Sequence, residues 1–388
     1  MKEYFAQLLN TVFHREMHKR RSCPSYRSNW QRLHLDKPLL VGILLLIGVG
    51  FIILYSASAR NEATLIRQGL SAALAFSCLF VFAQIPPYKY KIWSPWIYII
   101  GLGLLLVVLV VGSMGNGAKR WLNLGLFRFQ PSEIMKFAVP MAVAWYLSHR
   151  PLPVSLKSII VSFLLILIPG LLIAKQPDLG TGLMVMFAGC VVLFFAGISW
   201  RFLGGGLAII GIALPIFYHH LHEYQRQRIL TFLNPERDPL GTGYHIIQSK
   251  IAVGSGGMLG KGLFHGSQSR LNFLPEHTTD FIFAVCGEEL GFVGCVVVIL
   301  LILFIILRCL YIVRHAQDDF SRLLAAGLSL SFFLSAFVNI GMVTGILPVV
   351  GIPLPLVSYG GTSLVTLFIA FGILMSIHTH RAIFTDML

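Results

Sequence analysis

The chain has 388 residues, of which 56% are hydrophobic and only 12% are charged, and its formal net charge is +14. Soluble domains carry about 25% charged residues, so this composition excludes a soluble globular protein and indicates a polytopic membrane protein. Lys and Arg concentrate in the cytoplasmic loops of membrane proteins, so the positive charge is not a sign of nucleic-acid binding.

Residues 1–37 form a basic tail ahead of the first apolar run. Apolar side chains between Phe5 and Phe13 follow helical spacing, which predicts either a short amphipathic helix on an anionic membrane surface or simply a mobile cytoplasmic tail. The apolar run that begins at Pro38 is too long for the core of a signal peptide. We therefore divide the chain into this tail and one transmembrane domain, 38–388.

Ten stretches of that domain approach the roughly 20 apolar residues that a membrane helix needs. They are roughly 38–58, 65–85, 94–113, 132–148, 157–175, 181–199, 202–219, 281–307, 322–346 and 356–377. The predicted fold class is an all-α polytopic membrane protein with about ten transmembrane helices. An even number of helices places both termini on one side, and the basic tail predicts that this side is cytoplasmic.

Two outer loops, 114–131 and 220–280, hold most of the basic residues left outside. The first is short enough for the positive-inside rule to apply and breaks it, which indicates that its charges have a function. The second is a large extracytoplasmic loop between helices 7 and 8. Its length of about 60 residues is too great for a simple connector.

The first outer loop and the start of the fourth helix carry four candidate substrate-binding residues. Lys119 and Arg120 lie in a Gly-rich turn, and Glu133 and Lys136 open the helix. Two solvated surface charges explain Lys119 and Arg120 equally well. For Glu133, the alternative is ordinary helix-start chemistry with Ser132 as the cap.

Three further candidates for substrate binding lie in other outer segments. Asp178, in the reversal KQPDLGTG, either binds substrate or caps the next helix. Lys250 lies in an amphipathic piece of the long loop, and Lys261 ends the Gly-rich turn GSGGMLGKG. This turn does not fit the nucleotide-binding P-loop, because five residues separate Gly254 from the Gly-Lys pair and Gly262 follows the lysine. A Gly-rich backbone with a lysine still suits another phosphate.

Within ten positions of the run NFLPEHTTDFIFAVCGEELG, 272–291, lie three of the chain's 16 Asp and Glu, namely Asp280, Glu288 and Glu289. A charge at the lip of a membrane helix is costly to retain, so Asp280 is the candidate catalytic residue. The alternative is a helix N-terminal acid with Thr279 as the cap. Glu288 and Glu289 follow about 12 Å further along the helix, where we expect structural pairing inside the bundle.

The segment 345–363 contains Pro348, Pro353 and Pro355, which preclude a regular helix. Broken backbone at this depth persists only where it is buried or lines a cavity. Asn339 in the preceding helix is expected to be a structural hydrogen-bond partner between helices.

A carboxylate beside several cations at the outer membrane surface suits glycosyl transfer from a diphosphate-linked donor. The departing diphosphate needs positive charge or a metal, and the acceptor hydroxyl needs a general base. We therefore expect a divalent cation, Mg²⁺ or Mn²⁺, to support activity, although the residues do not indicate which side chains would bind it.

Several long motifs, in order, carry a resemblance to a known family. They are KRWLNLGLFRFQPSEIMK, QPDLGTG, YHIIQSKIAVGSGGMLGKG, FLPEHTTDFIFAVCGEELG and NIGMVTGILPVVGIPLPLVSYGG. From about residue 36 to the end, the chain resembles the SEDS family of shape, elongation, division and sporulation proteins. The YHIIQSKIAVGSGG and GILPVVGIPLPL forms are more similar to the RodA, or rod-shape, branch than to the FtsW, or division, branch.

This resemblance implies a ten-helix peptidoglycan glycosyltransferase in the bacterial inner membrane, with its active face extracytoplasmic. Such an enzyme polymerises lipid II into glycan strands for cell elongation, with inversion at the anomeric carbon and undecaprenyl diphosphate as leaving group. The implied partners are a class B penicillin-binding protein and the elongation machinery. Asp280 matches the family's essential aspartate, and Lys119, Glu133 and Asp178 match polar positions of its outer cavity. One departure is Thr278, which stands where the family usually has histidine.

Two other classes of function compete with this interpretation. A lipid-precursor flippase or transporter would also use about ten helices, internal charges and a broken outer helix, although no inverted repeat is visible. A noncatalytic scaffold for cell-wall enzymes would leave the outer charges unexplained. The sequence does not distinguish residues that bind the donor from those that bind the acceptor.

Overall fold

The structure is a computed structural model, and the part of the chain that it describes begins after the basic tail. It describes residues 33–115, 118–123, 128–150, 154–198, 204, 226, 242–270, 273–274 and 276–380. The predicted amphipathic helix between Phe5 and Phe13 lies outside these residues.

Eleven helices and three short strands make up the described part of the chain. The helices are α1 (Lys37–Ala57), α2 (Glu62–Gln84), α3 (Pro87–Val111), α4 (Pro131–Ser148), α5 (Leu156–Lys175), α6 (Leu179–Phe195), α7 (Thr242–Ser255), α8 (Ser267–Arg270), α9 (Ile282–Arg314), α10 (Asp319–Val343) and α11 (Gly361–Thr379). The strands are β1 (Ser113–Gly115), β2 (Ala118–Asn123) and β3 (Arg128–Phe129).

The predicted fold class, an all-α polytopic membrane protein, is confirmed. Among the described residues, seven helices are long and apolar enough to cross a membrane, namely α1, α2, α3, α5, α9, α10 and α11. α6 is apolar but shorter, at 17 residues. Every predicted span coincides with a helix except 202–219, of which only Gly204 is described.

Some helix boundaries differ from the predicted ones because helical hydrogen bonding does not stop where apolarity stops. α3 begins at Pro87, seven residues before the predicted start, since proline is well tolerated in the first helical turn. α9 continues to Arg314, and α11 begins only at Gly361. The late start of α11 follows from Pro353 and Pro355, which keep the preceding backbone in turns.

α4 is the central helix of the bundle. It packs against α3, α5, α6 and α10, and most of its residues are buried. α2 packs mainly along α11, and α9 packs along α1 and α10. The polar residues near the start of α4 therefore lie inside protein rather than in lipid, as a charged membrane residue requires.

The first outer loop contains a small antiparallel sheet, which the helix-based prediction lacked. β1 pairs with β2, with Met114 opposite Lys119, and β2 pairs with β3, with Leu122 opposite Phe129. The last strand leads through Gln130 directly into α4. The sheet thus fixes the backbone of Lys119 relative to the start of the central helix.

α9 is kinked at Gly291, whose φ of 66° and ψ of −161° are not helical. The Gly-rich turn after α7 packs into this kink. Lys261 N donates to Glu288 O at 3.0 Å, and Gly262 N donates to Glu289 O at 3.0 Å. A Cβ on Gly291 would lie 2.3 Å from Gly260 N, so this close approach requires glycine.

At the end of the bundle where α1 begins, Asp36 joins three helices. It caps α1 by accepting a hydrogen bond from Leu39 N at 2.9 Å. Arg308 of α9 donates to it at 3.0 and 2.6 Å, and His378 Nδ1 of α11 lies 2.9 Å from it. Burial alone would raise the pKa of Asp36, but the hydrogen bonds from His378, Arg308 and Leu39 outweigh it and hold the pKa well below its usual range.

Candidate active site

Asp280 lies in a turn that delays the start of α9. Phe281 N and Thr279 N both donate to Glu276 O, at 3.2 and 3.1 Å, and α9 begins at Ile282. Phe281 is at the N-cap position and makes no side-chain cap. The alternative with Thr279 as cap is therefore wrong, because its hydroxyl donates to Glu276 instead. Half-buried Asp280 stands one residue before this N-cap position, so it is not the cap residue of α9.

Asn339 ties this turn to the broken segment between α10 and α11. Its Nδ2 donates to Asp280 O at 2.8 Å and to Ile352 O at 2.7 Å, and the residue is fully buried. Both acceptors are backbone carbonyls outside regular helix, and a buried carbonyl without a hydrogen-bond donor destabilises the fold. The Asn339 amide supplies that donor to both carbonyls. The two irregular segments are thereby held together.

The broken segment is also where three of the predicted outer segments meet. A Cβ placed on Gly351 would lie 3.4 Å from Asp280 Oδ2, and one on Gly345 would lie 2.7 Å from Lys250 Nζ. A Cβ on Gly180, in the first turn of α6, would lie 3.1 Å from Val350 O. The catalytic candidate, a lysine of the long loop and the segment that contains Asp178 are thus all in contact with residues 345–351.

The first outer loop joins this assembly through Arg120. Its NH2 donates to Pro177 O at 2.6 Å, and its NH1 lies 3.8 Å from Asp178 Oδ1. Asp178 caps α6 by accepting from Thr181 N, and it also accepts from Gln130 Nε2 at 3.0 Å. The capping alternative for Asp178 is correct, and the same carboxylate also holds Arg120 in place. The side chain of Lys119 lies outside the described part.

Glu133 and Lys136 form an ion pair on α4. Their Oε1 and Nζ are 2.6 Å apart, and Thr366 of α11 donates to Glu133 Oε2 at 2.9 Å. Ser132 is not the helix cap: α4 begins at Pro131 with Gln130 at the N-cap position, since proline lacks the N–H that a cap would satisfy. Glu133 is only 5% exposed, so its position reflects pairing inside the bundle rather than a solvated first turn.

The pair borders a cavity of about 720 Å³, including its open part. The broken segment from Ile352 to Leu356 lines one side of this cavity, and apolar residues of α10 and α11 such as Phe332 and Leu367 line another. A partly apolar cavity with one ion pair suits an amphiphilic ligand.

Lys261 and the two glutamates of α9 lie at the kink. Glu288 is fully buried and accepts from Lys261 Nζ at 2.8 Å, from Ser267 N and Oγ, and from Gln268 N. Glu289 is 2% exposed. Lys261 is therefore engaged by a buried carboxylate, and a role for it in substrate binding stays a prediction.

The described residues contain no group of three or more His, Cys, Asp or Glu side chains that could hold a metal ion. Protein sites for Mg²⁺ often supply only one or two carboxylates and rely on substrate phosphates for the rest. The described part thus contains no ready-made cluster of metal-binding side chains, and the expected divalent cation stays a prediction.

Sequence reasoning missed several residues that complete the site. Gln68 of α2 and Ser358 of the broken segment connect these elements, Thr366 holds Glu133, and Gln130 holds Asp178. One signal was available for Gln68, because a polar side chain within a membrane helix usually has a partner inside the bundle. Ser358 carried no such signal.

Comparisons with known proteins agree with this architecture. The sequence model of the FTSW_RODA_SPOVE family, described as "Cell cycle protein", matches residues 37–383. Peptidoglycan glycosyltransferase MrdB of Escherichia coli (strain K12) is 50% identical over 359 residues, which cover 92% of this chain and 97% of that protein. The probable peptidoglycan glycosyltransferase FtsW of Geobacter metallireducens is 38% identical over 361 residues, covering 89% and 94%.

Solved structures share the fold over nearly the same range. The rod shape determining protein RodA of Thermus thermophilus has a TM-score of 0.70 at 29% identity, covering 92% of this chain and 99% of that one. A chain from a structure described as "Structural coordination of polymerization and crosslinking by a peptidoglycan synthase complex" has a TM-score of 0.80 at 34% identity, covering 90% and 99%. The resemblance in the motifs is confirmed, and the chain belongs to the FTSW_RODA_SPOVE family of cell cycle proteins.

Proposed function

We propose that this chain is a peptidoglycan glycosyltransferase that polymerises lipid II into glycan strands for cell-wall elongation and rod shape. The observation that carries the proposal is the position of Asp280, whose carboxylate lies against Gly351 in the broken segment that Lys250 and the Asp178 segment also contact. The name of the MrdB relative, 50% identical over most of the chain, supports the same activity.

In the proposed reaction, Asp280 is the general base. A hydroxyl of the acceptor sugar attacks the anomeric carbon of the donor, and its proton passes to the Asp280 carboxylate as the new C–O bond forms. The bond between that carbon and the diphosphate oxygen breaks on the opposite face, so the configuration inverts. The electron pair leaves with undecaprenyl diphosphate.

Cationic side chains offset the charge that develops on the leaving group. Lys250 of α7 lies against Gly345 of the same broken segment whose Gly351 contacts the base. Arg120 is held by Asp178 and Pro177 O on the neighbouring segment. Lys119 adjoins Arg120 on β2. Preorganised cations of this kind stabilise a transition state because they need no reorganisation during the reaction.

The cavity beside Glu133 and Lys136 is proposed to receive part of the lipid-linked substrate. Its apolar lining from α10 and α11 suits hydrocarbon, and the ion pair suits the polar boundary of such a molecule. A divalent cation, Mg²⁺ or Mn²⁺, would reach the site with the diphosphate and supply further counter-charge there.

The proposed setting is the bacterial inner membrane, with both termini cytoplasmic and Asp280 on the extracytoplasmic face. The basic tail ahead of α1 supports this orientation. A class B penicillin-binding protein is the proposed partner, and the elongation machinery the proposed context. The likeness to a chain of a synthase complex that coordinates polymerisation and crosslinking supports the partner.

The test compares polymerisation with flipping. Purified protein, together with the crosslinking partner, is incubated with labelled lipid II, and products are separated by size. In parallel, the protein is placed in liposomes and lipid II is measured in each leaflet. Glycan polymer is the expected product, whereas transfer across the liposome membrane without any polymer would overturn the proposal in favour of a flippase.

A further inference from the structure

We propose that Ser358 is a positioning residue for Asp280, and that Gln68 of α2 fixes Ser358 in turn. Ser358 does not contact the carboxylate itself; its hydroxyl holds the backbone of the turn from which Asp280 projects. This inference rests on the proposed function, because it concerns the same carboxylate acting as a base.

Three consecutive carbonyls of the turn are each held by a group outside it. Tyr359 N donates to Thr278 O at 2.9 Å, Ser358 Oγ donates to Thr279 O at 2.6 Å, and Asn339 Nδ2 donates to Asp280 O at 2.8 Å. The backbone on the N-terminal side of α9 therefore cannot shift without breaking these bonds. Two of the three come from adjacent residues of the broken segment.

The Ser358 hydroxyl is both a hydrogen-bond donor and a hydrogen-bond acceptor. It accepts a hydrogen bond from Leu354 N at 2.8 Å while it donates to Thr279 O, and the residue is 6% exposed. Ser358 N in addition donates to Leu354 O at 3.0 Å. A single hydroxyl thus closes the turn of the broken segment and joins it to the turn that carries Asp280.

Gln68 connects this arrangement to a membrane helix. It is 4% exposed, and its Nε2 donates to Ser358 O at 3.4 Å while its Oε1 accepts from Gly360 N at 3.3 Å. The amide nitrogen and the amide oxygen of Gln68 therefore both bind backbone groups at or next to Ser358. α2 packs along α11, so the broken segment is held at its C-terminal end by two helices.

Loss of the hydroxyl should disturb the reaction more than the fold. Ser358→Ala nearly preserves side-chain volume but leaves Leu354 N and Thr279 O without this partner. A base displaced by an ångström or less can lower the rate by about 10- to 100-fold, because the proton transfer geometry is lost. Ser358 also lines the cavity beside Glu133 and Lys136, but its hydroxyl is engaged by Leu354 N and Thr279 O, so its removal should change substrate binding little.

The experiment uses the complex with the crosslinking partner and measures kcat and KM for lipid II polymerisation. Ser358→Ala is expected to lower kcat about 10-fold or more, with KM changed less than about twofold. Ser358→Thr retains the hydroxyl and is expected to restore most of the rate. Ser329→Ala is the matched control, because Ser329 is also buried and its partners, Ala325 O at 2.6 Å and Cys309 of α9, belong neither to the Asp280 turn nor to the broken segment.

Gln68→Leu provides a second variant that leaves the Asp280 turn itself intact. Gln68→Leu is expected to lower kcat by a smaller factor than Ser358→Ala does, with KM unchanged. If Ser358→Ala does not fold, the kcat of Gln68→Leu decides whether the inference holds. Three results would overturn the inference. The first is a wild-type kcat in the folded Ser358→Ala and Gln68→Leu variants. The others are a kcat that Ser358→Thr fails to restore and an equal loss of kcat in Ser329→Ala. Absence of polymer from the wild-type complex would instead refute the proposed function.

Discussion

Replacing Lys261 by methionine is expected to destabilise the protein more than it slows the reaction. Glu288 is fully buried, and Lys261 Nζ lies 2.8 Å from its Oε1. Breaking a buried ion pair costs about 3–5 kcal/mol, because the remaining charge is uncompensated. The Lys261 side chain is 31% exposed, and Ser267 and Gln268 continue to donate to Glu288. We therefore expect a smaller loss of about 2 kcal/mol.

The assay is thermal unfolding in detergent at one fixed heating rate, since large membrane proteins often unfold irreversibly. At about 2.1 cal/mol/K of unfolding entropy per residue, a chain of 388 residues shifts by about 1.2 °C per kcal/mol, so the midpoint should fall by about 2–3 °C. The matched control, Lys157→Met, changes an exposed lysine of α5 and should shift stability by less than about 0.5 kcal/mol. Lys261→Met combined with Glu288→Gln should recover part of the loss, because the neutral amide removes the uncompensated charge while its oxygen still accepts from Ser267 and Gln268.

Two results would refute this reasoning. One is a thermal unfolding midpoint of the single variant Lys261→Met that equals the wild-type midpoint. The other is a folded Lys261→Met protein whose KM for lipid II rises tenfold, which would return Lys261 to the substrate-binding residues.

Three further predictions address other parts of the molecule. Asp36→Asn should lower stability by about 2 kcal/mol at pH 8, because Arg308 loses its carboxylate partner. Since the folded pKa of Asp36 is depressed, the carboxylate's contribution is lost as the pH falls, so the deficit should shrink below about pH 4, and a deficit undiminished at about pH 3 would contradict this. Gly345→Ala should raise KM about tenfold, because φ is +75° and a Cβ would lie 2.0 Å from Lys250 Cε, whereas Gly103→Ala meets no atom within 4 Å and should leave KM unchanged. Excess chelator should slow polymerisation, and undiminished turnover would exclude a required divalent cation.

The membrane helices and Asp280 could be predicted from the sequence because both depend on local composition. An apolar run of sufficient length is enough to indicate a span. Asp280 was noticeable because acids are rare in this chain, 16 in all, and an acid at the edge of an apolar run is costly.

Helix caps and ion-pair partners could not be predicted, because tertiary contacts decide them. Ser132 and Thr279 satisfy cap statistics, yet Pro131 and the turn at Glu276 set the true helix starts. The Lys261–Glu288 pair depends on the kink at Gly291, and nothing in an apolar helical pattern marks that glycine as non-helical.

The positions that hold the site together were the hardest to find. Ser358 acts through the backbone carbonyl of Thr279, 79 residues away in the chain, and the contact is created by packing of the broken segment against the turn before α9. The small sheet that contains Lys119 was missed for a related reason, since three strands of two to six residues are too short for an alternating pattern.

The most direct test of the central claim is lipid II polymerisation by Asp280→Asn in the complex with the crosslinking partner. Glu62→Gln is the matched control, because Glu62 is an exposed acid in the first turn of α2. A general base contributes about 10²- to 10⁴-fold, so Asp280→Asn should lose at least 100-fold in kcat at an unchanged unfolding midpoint, and Glu62→Gln should retain wild-type activity. An Asp280→Asn protein that makes polymer at the wild-type rate would contradict the account.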